Sequence, residues 1–350
     1  MSVDARTILQ AIAAVPASSV ALFSVLACIS HEVRAAKIHC PPPPTAVRHL
    51  DLPGYYKDKA KSVVDPTAQA RRRAAVKPLK GYLNSVAKMA DRAVLSQSLS
   101  RRSGYGHCAV SWLRSWAEGG AYLGRMSSKQ AEAQRKWDLA GLSLGYLKIR
   151  RYADPLDRKI IDPWLQTIAD RARAVYESPG KIRNNHWYWL GLGLGGVGLA
   201  TDSRRHWSEA HRVMRNASKD ISPEGFLPLE LKRGKRALHY HTFSVMALVT
   251  LAELGRAKRQ SWYELENDAL HRLVKSTARA LVDLSLIEGA AGIRQERPLK
   301  PRAGWLQLYK LQFPGRSFPR NMPVAKPQHR WLGGNVLALR RTLSELASSN

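Results

Sequence analysis

Carboxylates are scarce in this chain. Asp and Glu total 27 against 56 Lys and Arg in 350 residues, a formal charge of +29. The imbalance implies a polyanionic partner or surface: nucleic acid, an acidic polysaccharide or anionic lipid. Strand-like alternation is equally sparse, which argues against a sheet-based fold. No linker divides the chain into compositionally different halves, so a single domain is expected. Three cysteines, Cys28, Cys40 and Cys108, allow at most one disulfide. His239 and His241 form an H-x-H pair without a third ligand at recognisable spacing, so no metal site is expected.

Long apolar runs are rare too. The one that stands out, "AIAAVPASSVALFSVLACI", follows Arg6 and precedes a small-residue stretch, Val33 to Ala36. Residues 1–35 therefore read as an export signal, with a single membrane anchor or an overlong start as the alternatives. Arg6 and Arg34 balance Asp4 and Glu32 there, so the basic charge belongs to residues 36–350. Cys28 would leave with the signal. Cys40 and Cys108 would then be a disulfide in an oxidising compartment, or two free thiols.

With 45% apolar residues the remaining chain can bury a large core. "CPPPPTAVRHLDLPGYYKDK" is too proline-rich for helix and is expected to lie extended over the surface. Beyond Leu79 the spacing is helical in Leu83–Leu95, Cys108–Tyr122, Trp137–Tyr146, Ile160–Val175, His239–Leu254, Tyr263–Leu286 and Val336–Leu346. Short Pro-, Gly- and Asp-bearing connections favour antiparallel neighbours. Residues 288–331 read as a long, partly irregular segment.

Gly193, Gly195 and Gly198 satisfy the dinucleotide spacing G-x-G-x-x-G. No buried strand precedes them, so they are read instead as places where helices approach closely. Just before them, "KIRNNHWYWLG" sets two asparagines and a histidine at a helix entrance, more polar chemistry than a cap requires. In "EGFLPLELKRGKRALHYHTF", a helix established by Arg233 would align Arg233, Arg236 and Tyr240 on one face. Guanidinium groups there would favour the phenolate and make Tyr240 usable as a base. The competing reading is a solvated basic stripe.

Those two motifs, supported by "HCAVSWLRSWAEGGAYL", "QRKW", "GWLQLY" and "WLGGNV", resemble the alginate lyases of polysaccharide lyase family five, from about Cys40 to Val336. The resemblance implies an all-α fold, an incomplete (α/α) toroid of antiparallel helix pairs around a deep cleft. It implies an active site of Asn185, His186, Arg233 and Tyr240, and a mobile lid in "LPGYYKDKAKSVVD" within the lead-in of residues 36–66. It also implies a Cys40–Cys108 disulfide. The chain departs from the family at Phe243, where relatives of alginate-producing pseudomonads commonly carry tyrosine, and in lacking a clearly alignable lysine at the start of the lid.

The expected activity is β-elimination in a polyuronate, polymannuronate or alginate foremost, leaving 4,5-unsaturated ends. Asn185, His186 and Arg233 would hold the enolate that forms as C5 loses its proton, and the end of the helix would add backbone donors. Tyr240 would move the proton to the departing O4. Guluronate would need a separate base, for which His186 is the candidate. Tyr55, Tyr56 and Trp189 are expected to meet sugar faces, as is Trp137. Gln134, Lys136 and Arg236 are expected to meet neighbouring carboxylates. Tryptophans at helical spacing, Trp137 and Trp189 among them, are more often core than sugar-facing. No cofactor is expected. The partner would be an anionic polysaccharide rather than nucleic acid, and the exported protein a periplasmic or secreted monomer without stable membrane association. The alternatives are a lyase acting mainly on polyglucuronate or another acidic polysaccharide, and a basic nucleic-acid-binding protein.

Overall fold

Periodicity, caps and breakers divide the chain into helices of ordinary length. The computed structural model describes residues 38–298, 304–323 and 326–349; the expected export signal, with Cys28, lies outside them. The helices are α1 (Pro66–Ala75), α2 (Lys77–Leu95), α3 (Leu99–Glu118), α4 (Lys129–Ile149), α5 (Pro155–Tyr176), α6 (Asn185–Ala200), α7 (Arg204–Lys219), α8 (Pro228–Leu231), α9 (Ala237–Ala257), α10 (Leu265–Val282), α11 (Ser285–Ala291), α12 (Gly304–Gln312) and α13 (Val336–Ser349). Two-residue strands β1 (Gln328–His329) and β2 (Gly334–Asn335) form the only sheet among the described residues.

Side-chain oxygens start several helices. Ser98 caps α3, Ser128 caps α4 and Asn184 caps α6, each accepting from backbone N–H groups that the helix leaves free. At α5 the Asp154 and Asp157 side chains each bond the other's backbone, and Pro155 occupies the first turn.

Burial sorts the helices into two layers. α4, α6 and α9 are buried on nearly every side and form an inner layer with α2, each packed on the next. α3, α5, α7 and α10 return along the outside, each beside its inner partner, and bury one face only. This is the (α/α) toroid. α7 is not among the helices expected from periodicity. Its buried face is His206, Ala210, Val213, Met214 and Ala217, too poor in large apolar residues to stand out.

The layers touch closely at the glycines of α6. A Cβ on Gly198 would lie 2.8 Å from the Trp207 backbone nitrogen, so any larger residue would push α7 away. The dinucleotide-like spacing is therefore packing. Residues 288–331, expected to be partly irregular, include the end of α11 and all of α12. Tyr122, expected to end a helix, lies past the end of α3 with φ +63°.

Two devices fix the segments that reach the cleft. The lead-in runs extended across α3, where Trp112 and Trp116 donate from their indoles to the Pro41 and Pro44 carbonyls, both at 2.8 Å. Cys40 and Cys108 are joined there, with Cα atoms 5.6 Å apart. At the other end, fully buried Lys148 donates to Asp91 and to the Gly333 carbonyl, both at 2.6 Å. Asp91 also accepts from the Asn335 backbone and the Gln328 amide. Gly333 and Gly334, at φ +71° and +110°, make the turn that L side chains resist. Arg330 and Trp331 ride on that turn.

Closing a loop of 68 residues should stabilise the fold by about 4 kcal/mol in the chain-entropy account. Cys108→Ser is expected to lower the unfolding free energy by about 2–5 kcal/mol. Urea titration of both forms checks it, and an unchanged midpoint would contradict the assigned role.

Candidate active site

The start of α6 and the stretch from α8 to α9 meet at one buried carboxylate. Glu230 accepts from the Asn185 backbone N–H at 2.7 Å and its amide at 2.9 Å through one oxygen. Its other oxygen accepts from Arg233 Nε at 3.2 Å. Glu230 is fully buried, Asn185 nearly so, and Arg233 is 9% exposed. Charge neutralisation and hydrogen bonds to both oxygens make that burial tolerable. Sequence reasoning passed over Glu230; its signal was a single acid ahead of a basic cluster in "LPLELKRGKR".

The helix expected from Arg233 onward begins later. Gly234 takes φ +55°, residues Gly234–Arg236 form a 3-10 turn, and α9 opens at Ala237. Arg233 and Arg236 still reach Tyr240, their guanidinium carbons 4.7 and 5.7 Å from its ring centre. The turn does what one helical face was expected to do.

Tyr240 is 6% exposed. Burial pushes its phenol above the ordinary value, against the lowering effect of Tyr56, Arg233 and Arg236. The expected ready phenolate is corrected on this point: the arginines oppose desolvation but do not overcome it. The segment expected to form the lid lies against this phenol, its Tyr56 hydroxyl and Lys61 carbonyl facing the Tyr240 hydroxyl. Residues 55–65 fold back as a short hairpin, with Tyr56 bridged to Val64 and Asp58 accepting from Ser62 and Val63. The Tyr56 hydroxyl lies 3.1 Å from those of Tyr55 and Tyr240 and accepts from Arg236 at 2.9 Å. Its own pKa is pushed up to about 12, chiefly by burial.

His186 projects from the first turn of α6 between two near-parallel rings. Trp137 and Tyr176 each lie 5.7 Å from it, at 20° and 14°. Burial, then Lys136, drives its pKa well below the ordinary histidine value, so the ring is neutral. The end of α6 adds no free backbone donors at Asn185 and His186, contrary to expectation. Those N–H groups are taken by Glu230 and by the Asn184 side chain.

Other assignments change. Lys136, expected to meet a substrate carboxylate, is fully buried and bonds His186 Nδ1 at 2.8 Å. Trp189 is core, bonded to the Phe243 carbonyl and stacked on the Phe243 ring, so it cannot face a sugar. Gln134 is 2% exposed and links Arg72 to buried Asp138. Asp138 also holds Trp331 Nε1 and the Tyr122 hydroxyl. His241 is a core histidine bonded at both nitrogens, with its pKa held down to about 4 by burial. Among the described residues no cluster could hold a metal ion.

Asn185, His186, Tyr240 and Trp137 line a pocket of about 120 Å³ with Lys61, Arg72 and Arg330, which sequence reasoning also missed. Arg72 lay in an arginine run that reads as surface charge. Tyr55, Tyr56, Lys61 and His186 also line a larger cleft of about 730 Å³. Together these describe an elongated, cationic, aromatic-walled groove.

The Alginate lyase family model matches residues 53–285. A polysaccharide lyase of Stenotrophomonas maltophilia (strain K279a) is 38% identical over 278 residues, covering 79% of this chain and 82% of that protein. The chain belongs to the alginate lyase family. An alginate lyase of Pseudomonas syringae pv. syringae is 28% identical, covering 72% of this chain and 68% of its own. Alginate lyase A1-III from Sphingomonas species A1 shares the fold, with TM-score 0.73, 20% identity, and coverage of 87% of this chain and 86% of that one. A histidine-to-alanine variant of alginate lyase A1-III, complexed with a tetrasaccharide, matches with TM-score 0.76.

Within this alginate lyase family member, Glu230→Ala would strand a buried guanidinium and release the Asn185 amide. The expected cost is about 3–5 kcal/mol of stability, measured by chemical denaturation. A loss within the range of ordinary surface substitutions would show that Glu230 holds nothing together.

Proposed function

We propose that this protein is a polysaccharide lyase that cleaves a polyuronate, polymannuronate or alginate foremost, by β-elimination. The observation that carries the reading is the convergence of Asn185, His186 and Tyr240, from two distant stretches, on one cationic pocket, with the Arg233 guanidinium 4.7 Å from the Tyr240 ring centre. The difficulty of the reaction is electrostatic. A uronate already carries a carboxylate at C5, and loss of the C5 proton places a second negative charge on the same group. Arg233 supplies fixed positive charge and Asn185 has a second amide hydrogen beyond the one given to Glu230. His186 supplies a ring N–H.

Tyr240, as phenolate, takes the C5 proton and, as phenol, returns it to O4. The C5–H and C4–O4 bonds break, a C4–C5 double bond forms, and no net proton is lost. One residue serves both ends because the proton and O4 lie on the same side of the ring in mannuronate. Glucuronate has the same arrangement at C4 and C5, so polyglucuronate is the second substrate to test. Tyr55 and Tyr56 on the lid and Trp137 on the wall offer ring faces to sugars, and Arg236, with Arg72 and Arg330, offers charge to neighbouring carboxylates. Phe243, where related enzymes commonly carry tyrosine, leaves that wall without a hydroxyl.

The setting proposed is the periplasm or the cell exterior, with residues 1–35 as the export signal and residues 36–350 as one catalytic domain. The Cys40–Cys108 bond suits an oxidising compartment. Residues 36–350 cluster as one compact unit, in keeping with one domain; a monomer is proposed. No described helix is long and apolar enough to cross a membrane. The charge is read as serving an anionic polysaccharide rather than nucleic acid, because the basic side chains gather with aromatic rings in a groove.

The purified protein should raise ultraviolet absorbance on a polymannuronate panel as the conjugated double bond forms. Tyr240→Phe is expected to abolish that signal while polymer binding persists; near-normal turnover would refute the role given to Tyr240. Asn185→Ala should slow turnover by about 10²–10³-fold, as for other oxyanion donors; a change in KM alone would make Asn185 a binding residue. The phenolate is the active form and burial raises the free-enzyme pKa of Tyr240. Hence kcat/KM should climb with pH through the alkaline range, without a plateau until beyond the ordinary phenol value of about 10. A plateau reached near neutrality would contradict this.

A further inference from the structure

Lys136 is a lysine in an unusual place. It is fully buried on α4, and among the described residues no carboxylate pairs with it. The Lys61 ammonium, of the same sign, adds to the cost of its charge. Lys148, one helical stretch further along, shows the ordinary solution: it too is fully buried, and Asp91 neutralises it. A buried cation without a counter-ion is costly, so its position needs another explanation.

Its surroundings supply one. Lys136 Nζ lies 2.8 Å from His186 Nδ1, 4.2 Å from the Tyr176 ring centre and 5.1 Å from that of Trp137. Those are the two rings that sandwich the imidazole. The sandwich sets the plane of the His186 ring, while Nζ sets its rotation within that plane. An ammonium has hydrogens to give and no lone pair to accept with, and the ring faces favour the cationic form. Nδ1 must then be the bare nitrogen of a neutral imidazole, and the hydrogen must sit on Nε2.

We infer that Lys136 is a positioning residue that locks His186 in the Nε2–H tautomer, making it a hydrogen-bond donor to the sugar and denying it the role of base. The inference rests on the lyase reading and adds to it a positioning residue behind the imidazole. Removing the C5 proton of guluronate requires a base on the ring face opposite the leaving O4. A histidine with its free lone pair committed to Lys136 cannot be that base. That agrees with the class already proposed, uronates whose C5 proton and O4 share a face. Burial lowers the pKa of Lys136 well below the usual lysine value. The direction of the bond therefore rests on the ammonium form, which the Tyr176 and Trp137 ring faces favour against burial; an uncharged amine could also accept from an Nδ1–H.

The test has two arms on the full-length protein. In the first, ¹⁵N-histidine labelling with His186 assigned by a His186→Gln control reads the tautomer directly. A pyrrole-type Nε2 and a bare, deshielded Nδ1 are expected, and a pyrrole-type Nδ1 would overturn the inference. In the second, Lys136→Met preserves length and apolar volume but removes the donor. On polymannuronate its kcat should fall by about 10-fold or more, within the range of proton-positioning effects, with KM nearly unchanged. Wild-type protein should release unsaturated ends from polymannuronate or polyglucuronate at least about 10²-fold faster than from polyguluronate. Comparable cleavage of polyguluronate by the wild type, or a Lys136→Met variant with unchanged kcat and unchanged nitrogen shifts, would overturn the inference. A wild-type protein inactive on every polyuronate would defeat the lyase reading and with it the substrate claim; the nitrogen shifts would still decide the tautomer.

Discussion

The buried carboxylate of Glu230 is the constraint on which the site is built. One oxygen orients Asn185 through both its backbone and its side chain, and the other holds Arg233. Remove that group and the two stretches that carry the pocket lose their common reference. The cost of burying an acid is met by giving each oxygen a donor, one of them cationic. The arrangement also leaves the Asn185 amide one hydrogen short of fully used. That is the kind of residual donor capacity an active site needs, and it exists because the helix end was supplied with a carboxylate instead of water.

Around this anchor the pocket concentrates positive charge in a place of low solvent access. Lys61, Arg72 and Arg330 line it, and Arg233 and Arg236 lie against Tyr240; like charges so gathered repel, and burial pulls Lys61 and Arg330 down from their usual values. A polyanion relieves that repulsion residue by residue. The groove is thus held in a state that a chain of carboxylates improves, and the fold tolerates the strain through aromatic faces: Arg72 over Tyr55, Arg233 over Tyr240, Arg330 over Trp331.

Much of this was legible from the chain itself, and the exceptions have physical causes. The inner helices α4 and α9 show in the sequence because their apolar residues recur at helical spacing, whereas α7 does not, because His206, Ala210, Ala217 and Ser218 share its buried face with only Val213 and Met214. The two motifs that hold Asn185, His186, Arg233 and Tyr240 were conspicuous because polar residues interrupt apolar runs there. Glu230 and Arg72 were not, since one acid or one arginine in a charged segment looks like surface until a three-dimensional partner is known. Lys136 and Trp189 were misassigned for the same reason reversed: residues suited to sugars sit on helices buried on nearly every side, where orientation and not type decides. The helix start at Ala237 rather than Arg233 turned on one glycine with positive φ.

The lead-in over α3 carries one more consequence. Cys40 is bonded to Cys108, and the carbonyls of Pro41 and Pro44 are clamped by two indoles, before the chain reaches the lid tyrosines. A pull arriving from upstream therefore meets these attachments in the body of the protein ahead of the hairpin above Tyr240. Whatever precedes Cys40 is thus tied to α3 before the backbone arrives at the hairpin.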